Sequence, residues 1–291
     1  MHSASPIPNF TDLRDTKPGY DTRYAIDTSH PLYDDPLVDP RESEFGFNDA
    51  SSYYSRPNRM TGELLPGVPD APLVRLDVMK RIVQAEQFLR SDPDVRDALG
   101  APAHLRIDDA LRPYQVQKFA FEVAWPMVIR SVNPDMSDEE VLNQIPNYCA
   151  RPSANNTPTP HLTGGAVDVA LINLATGEPF DRGHQAGAVK GTAYPDFHEG
   201  YHLIEGQSDI ENTPAQAEVA AKDSEVVLGR RILYYAMTKI AGLHVNPQEI
   251  WHYGKGDPLS EFVSGSRKPY YGIAELPEWY TEKMNTLSQN E

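Results

Sequence analysis

From Leu76 onward apolar residues recur at three- and four-residue spacing. Val78, Ile82, Val83, Ala85, Phe88 and Leu89 fall on one face before Asp92-Pro93 stops the run, which predicts an amphipathic helix. His104-Leu-Arg-Ile-Asp-Asp109 then alternates like a short strand. After Pro113 the helical spacing returns in Val116, Phe119, Ala120, Val123 and Ala124, and Pro126 is expected to kink or end that helix. Ser137-Asp-Glu-Glu140 has capping-box spacing and opens another helix. Ala166–Ile172 is short, apolar and β-branched, as a buried strand is. Thr213-Pro214 reads as a helix start, Val226, Val227, Ile232, Leu233, Ala236 and Ile240 as the apolar positions that follow, and Gly242 as the C-terminal cap.

Helices that flank a few separated strands point to an α+β fold: a single domain with a small antiparallel sheet, rather than a regular βαβ alternation. Residues 1–72 carry no sustained period but are too aromatic for plain disorder (Tyr20, Tyr24, Tyr33, Phe45, Phe47, Tyr53, Tyr54). They are expected to wrap, with some short strands, over a domain formed by residues 73–291.

The charge balance narrows the partners. Among 291 residues, 26 are Lys or Arg and 42 Asp or Glu, a net charge of −16. Nucleic acid and anionic membrane surfaces would be approached against repulsion, so neither is expected as a partner. A small zwitterion is not excluded, because it responds to local charge. No run reaches the roughly 18–20 apolar residues of a membrane span. Met1-His-Ser-Ala-Ser-Pro lacks the basic and apolar regions of a secretion signal, so the expected location is cytoplasmic. Oligomeric state is left open. With Cys149 as the only cysteine, no intramolecular disulfide can form, and any metal must be held by His and carboxylate.

Such a donor set exists. His161-Leu-Thr-Gly-Gly-Ala-Val-Asp168 is answered some eighty residues later by Glu249-Ile-Trp-His252. Two imidazoles and a carboxylate suit one zinc ion with an open fourth position, and Glu249 supplies a second carboxylate beside the last ligand. Gly164-Gly165 lets the backbone turn so that His161 and Asp168 can converge. The plain alternative is a surface histidine and a turn-capping Asp. Against it, Asp168 sits inside Ala-Val-Asp-Val-Ala-Leu, where an unpaired charge would cost several kcal/mol. Glu249 and His252 share a face on a helix but not on a regular strand. Pro247 and Ile-Trp-His-Tyr favour a strand, so a bulge or bend is required there. Arg112, between a strand and a helix, is an ordinary loop arginine taken alone; beside a hydrolytic centre it is a candidate for the developing oxyanion.

Asp109-x-x-Arg-Pro113, His161-x-x-Gly-x-Ala-x-Asp168 and Glu249-x-Trp-His252, in that order, resemble the D-alanyl-D-alanine dipeptidases of the VanX type, within the zinc D-Ala-D-Ala peptidases. Pro18-Gly-Tyr-Asp-Thr-Arg-Tyr-Ala25 is similar to that family's opening segment, so the likeness runs from about residue 10 to about 270. The resemblance implies zinc on His161, Asp168 and His252, Glu249 as catalytic base and Arg112 on the tetrahedral intermediate. It further implies Asp196 as the partner of the substrate's ammonium and Thr159 as a substrate-binding hydroxyl, where the family usually has serine. Three departures concern the pocket: Pro160 before the first ligand, the spacing of residues 181–191, and an apparent insertion at 32–58.

The expected activity is zinc-dependent hydrolysis of D-Ala-D-Ala or a related short dipeptide with a free N-terminus. A D,D-carboxypeptidase or endopeptidase acting on peptidoglycan stems would use the same centre with its N-terminal side open. A non-haem Fe(II) oxygenase also uses two His and a carboxylate, but has no use for Glu249. A zinc-binding module without catalysis would need neither Glu249 nor Arg112.

Overall fold

The amphipathic face that starts at Leu76 becomes helix α1 (Leu76–Ser91), with Val78, Met79, Ile82, Ala85 and Leu89 buried. In this computed structural model the described residues are 24–47, 69, 71–152, 158–180, 183, 193–195 and 224–282. Asp92 is extended, as a residue before proline must be, and this ends α1. Its carboxylate then accepts hydrogen bonds from the N–H groups of Asp94 (2.9 Å) and Val95 (3.2 Å). The stop signal thus also caps a second helix, α2 (Pro93–Leu99), which the apolar pattern alone did not reveal.

Four strands form one antiparallel sheet in the order β3-β4-β6-β5, with β3 Ala103–Asp109, β4 Ala166–Asn173, β5 His244–Asn246 and β6 Glu249–Gly254. A separate ribbon pairs β1 (Leu37–Val38) with β2 (Val74–Arg75), so the irregular N-terminal region does contribute a short strand. Alternation divides the large sheet into two faces. Leu105, Ile107, Val167, Val169, Leu171, Val245 and Tyr253 join α1 and α6 (Ser224–Tyr235) in the main core. Asp168 and His252 lie on the opposite face and are direct cross-strand partners. A register shift between Ile107 and Asp109 turns Asp109 out of the core series and sets it opposite Asp168. The described helices and the antiparallel sheet make this an α+β fold.

Past Pro113, α3 (Tyr114–Phe119) widens into a π turn at Ala120–Ala124 and resumes as α4 (Trp125–Val132). Pro126 lies in the first turn of α4. The ring cannot donate and would clash with a carbonyl one turn back, and the wider turn relieves both. The kink therefore takes the form of a π turn and the chain stays helical. Ser137 and Glu140 form a capping box at the start of α5 (Asp138–Gln144). Together α3–α5 bury a second, smaller cluster of Ala120, Phe121, Ile129, Val141, Ile145 and Cys149, separate from the main core.

The start expected at Thr213 lies outside the described residues. From Ser224 the helix runs through α6, ends in another π turn (Ala236–Ile240), and is followed by Gly242 at φ +66. Helix α7 (Pro258–Val263) is capped by Asp257. Among the described residues no helix is long and apolar enough to cross a membrane.

Candidate metal centre

His161 is delivered by a 3-10 turn, Pro160–Thr163, immediately before β4. Gly164 leaves that turn at φ +70, a left-handed conformation that favours glycine. At Gly165 a side chain would put Cβ 2.8 Å from the Lys255 carbonyl and 2.7 Å from the Tyr271 ring. Arg75 clamps the same turn, its Nε donating to the Thr163 carbonyl (2.8 Å) and its N–H to that of Gly164 (2.9 Å). The two glycines thus bring His161 round to the sheet face that carries Asp168 and His252.

Glu249 and His252 belong to a strand, and the required irregularity is present. Val245 pairs with Tyr253 but Asn246 pairs with Glu249, so Ile250, Trp251 and His252 have no β5 partners and the strand bulges. Glu249 Oε2 consequently comes within 3.6 Å of His252 Nδ1.

Three donor atoms converge. His161 Nε2 lies 3.1 Å from His252 Nδ1 and 3.4 Å from Asp168 Oδ1, and the latter two are 3.0 Å apart. Ligands at about 2.0–2.2 Å around a tetrahedral ion have edges of about 3.3–3.6 Å, so the triangle needs only slight expansion. His161 Nδ1–H donates to the Ala110 carbonyl (2.8 Å), which fixes the tautomer and leaves Nε2 for the centre. Asp168 Oδ1 is buried without a well-formed hydrogen bond, the condition a cation would relieve. His161, Asp168 and His252 form a group that could hold a metal ion, and among the described residues no other such group occurs.

The electrostatics fit the same conclusion. Burial alone would raise the Asp168 carboxyl, but His161 and His252 outweigh it and hold the group well below the usual carboxylate range. Burial alone would lower His252, yet the Asp168 carboxylate, reinforced by Glu249, lifts it to about 9. The Glu249 carboxyl is pushed up by partial burial, a third of its side chain remaining open, with His252 opposing and Asp168 adding to the rise.

A pH dependence of opposite sign in the metal-free and metal-loaded protein follows. His252 has a folded pKa raised above its ordinary 6.5, so in the metal-free protein its stabilisation is complete below pH 6.5 and disappears as pH rises through about 9. A metal ion requires the same Nδ1 free of its proton, so apparent metal affinity should climb about tenfold per pH unit until about pH 9. Thermal denaturation of the metal-free protein and chelator competition across pH 6.5–9.5 check the two halves; an affinity flat in pH would contradict the second.

The centre opens into a cleft of about 160 Å³ whose lining includes Arg112, Thr159, Asn246, Gln248 and Glu249. Arg112 is locked in place. Nε donates to Asp109 Oδ2 (3.1 Å), Nη2 bonds the same oxygen, and Nη1 donates to Gln117 Oε1 (2.7 Å). Gln117 in turn donates to the Ala150 carbonyl (2.7 Å). Thr159 Oγ1 is buried at the cleft without a hydrogen-bond partner. Cys149 also lines the cleft, but burial pushes its thiol up to about 11 and it adds no ligand. His244 lies on β5 opposite Gly254. Asp196, His184, His198, His202 and the 181–191 stretch (except Gly183) lie outside the described residues.

Five residues singled out in the sequence, His161, Asp168, His252, Glu249 and Arg112, therefore line one cleft, with Thr159 beside them. Asp109, Gln117 and Asn246 were not assigned from sequence. Asp109 stood in the Asp-x-x-Arg-Pro motif, and Asn246-Pro247 is a turn signal; Gln117 carried no signal of its own.

No protein-family model matches the chain. Among curated proteins, a D-alanyl-D-alanine dipeptidase of Synechocystis sp. is 27% identical over 217 residues, covering 70% of this chain and 79% of that relative.

Proposed function

We propose that this chain, 27% identical to a D-alanyl-D-alanine dipeptidase over 70% of its length, is a zinc peptidase that cleaves D-Ala-D-Ala or a closely related free dipeptide. The observation that carries this reading is the juxtaposition of the His161–Asp168–His252 triangle with the Glu249 carboxylate, 3.6 Å from the nearest ligand atom. Zinc held by the triangle would polarise the scissile carbonyl and lower the pKa of water to about 7.

The remaining work falls to side chains. Glu249 accepts the proton of the attacking water and passes it to the leaving amine. Its raised carboxyl pKa brings proton uptake closer to neutrality. Arg112, held by Asp109 and Gln117, directs its guanidinium charge at the oxyanion without having to reorganise during the reaction. Thr159 offers an uncommitted hydroxyl to the substrate. Asp196 is proposed, from the family resemblance alone, as the anchor for the free ammonium.

The test is release of D-alanine by the zinc-loaded protein from D-Ala-D-Ala and from N-acetyl-D-Ala-D-Ala, side by side. Cleavage of the free dipeptide alone is the expected result. Cleavage of the blocked one would transfer the activity to a D,D-carboxypeptidase, and cleavage of neither would end the peptidase reading.

A further inference from the structure

Asn246 is buried at the end of β5, and both polar atoms of its side chain are committed. Oδ1 accepts the Gln248 N–H (3.0 Å), closing the two-residue turn Pro247-Gln248 that joins β5 to β6. That bond settles the orientation of the amide, so Nδ2 faces Glu249 and donates to its Oε2 at 2.8 Å. The bulge makes this possible. Regular pairing would carry Asn246 on past Tyr253 to His252, whereas the shifted register sets it opposite Glu249.

We propose that Asn246 is a positioning residue for the general base, holding Glu249 Oε2 so that the carboxylate stays beside the metal group, where the reacting water would stand. The inference rests on the reading of Glu249 as the base. Glu249 is partly solvent-exposed at the mouth of an open cleft, with three side-chain torsions and a charged end that water would otherwise solvate in many orientations. A donor fixed by its own turn removes much of that freedom before substrate arrives, and proton transfer is sensitive to misplacement on the ångström scale.

Residue chemistry separates this role from a merely structural one. An Asx turn needs only an acceptor at position 246, which aspartate supplies as well as asparagine. The donor to Glu249 is available from asparagine alone, since aspartate would set a second carboxylate against the first.

The experiment measures kcat, KM, bound zinc and melting temperature for the zinc-loaded full chain carrying Asn246→Asp or Asn246→Ala. Each substitution is made in the native background and in Glu249→Gln. Both should lower kcat about 10- to 100-fold, with KM within about twofold and one zinc retained. In Glu249→Gln neither should cause a comparable further loss, because the base they position is gone. Native-like turnover in Asn246→Asp would reduce Asn246 to a turn residue and overturn the inference. So would an equal loss in both backgrounds. If Glu249→Gln itself turns over normally, the reading of the base falls and takes the inference with it, an outcome visible before any Asn246 variant is made.

Discussion

Glu249→Gln is expected to lower kcat by roughly 10²–10⁴-fold while leaving one zinc per chain, the contribution typical of a positioned general base. In barrier terms this is about 3–5.5 kcal/mol. The replacement is nearly isosteric, and its amide oxygen can still accept from Asn246 Nδ2. What it lacks is basicity: it can neither take the water's proton nor return it to the amine. The three donor atoms of the metal group come from His161, Asp168 and His252, so zinc stoichiometry should not change. Loss of zinc together with activity would assign Glu249 to metal retention instead, and near-native turnover would remove it from the mechanism. Kinetics on D-Ala-D-Ala with metal analysis of the same sample decides among the three.

Glu86→Ala should destabilise the fold by about 3–5 kcal/mol, the usual cost of removing one partner from a buried ionic network. Glu86 sits on α1 with 0% exposure. One oxygen accepts from Arg90 Nε and approaches His104 Nδ1 at 2.9 Å. The other accepts the Leu105 N–H at 2.7 Å. Among the described residues β3 is an edge of the four-stranded sheet, so that N–H faces no strand there, and the carboxylate stands in for one. Truncation removes this substitute, leaves a buried donor unsatisfied and deprives Arg90 and His104 of their shared carboxylate. A fall in melting temperature on the order of 10 °C should follow, with no change in zinc stoichiometry. A shift of only a degree or two would mean that water or a rearranged His104 takes over the edge.

Glu86 also marks where sequence reading stops. In α1 the apolar spacing named Val78, Ile82, Val83, Ala85, Phe88 and Leu89, of which Val83 and Phe88 are half-buried and the rest buried, but no periodic rule says that a glutamate between them is buried as well. The capping box at Ser137, the buried strand around Asp168 and the need for a bulge between Glu249 and His252 were legible because each depends on residues a few positions apart. α2 was missed because Asp92-Pro93 reads equally as an end and a beginning. At the site, the donor set could be named from its motifs. The supports could not: Gln117 reaches Ala150 across 33 positions, and Asp109, which holds Arg112, faces the Asp168 side of the sheet only because of a bulge in β3. Such tertiary pairs leave no local trace in a sequence.

The cleft has walls of two origins. His161, Asp168, His252 and Glu249 stand on or beside the sheet whose other face is locked into the main core. Pro146, Tyr148, Cys149 and Ala150 come from the segment that closes the smaller α3–α5 cluster, where Tyr148 stacks on Trp125 and Cys149 is buried. Replacements in that smaller cluster can reshape the entrance without disturbing the packing that spaces the donors. On the proposed reading, substrate range can therefore drift under selection at helical positions other than Gln117, which holds Arg112, while the His161–Asp168–His252 group is inherited unchanged.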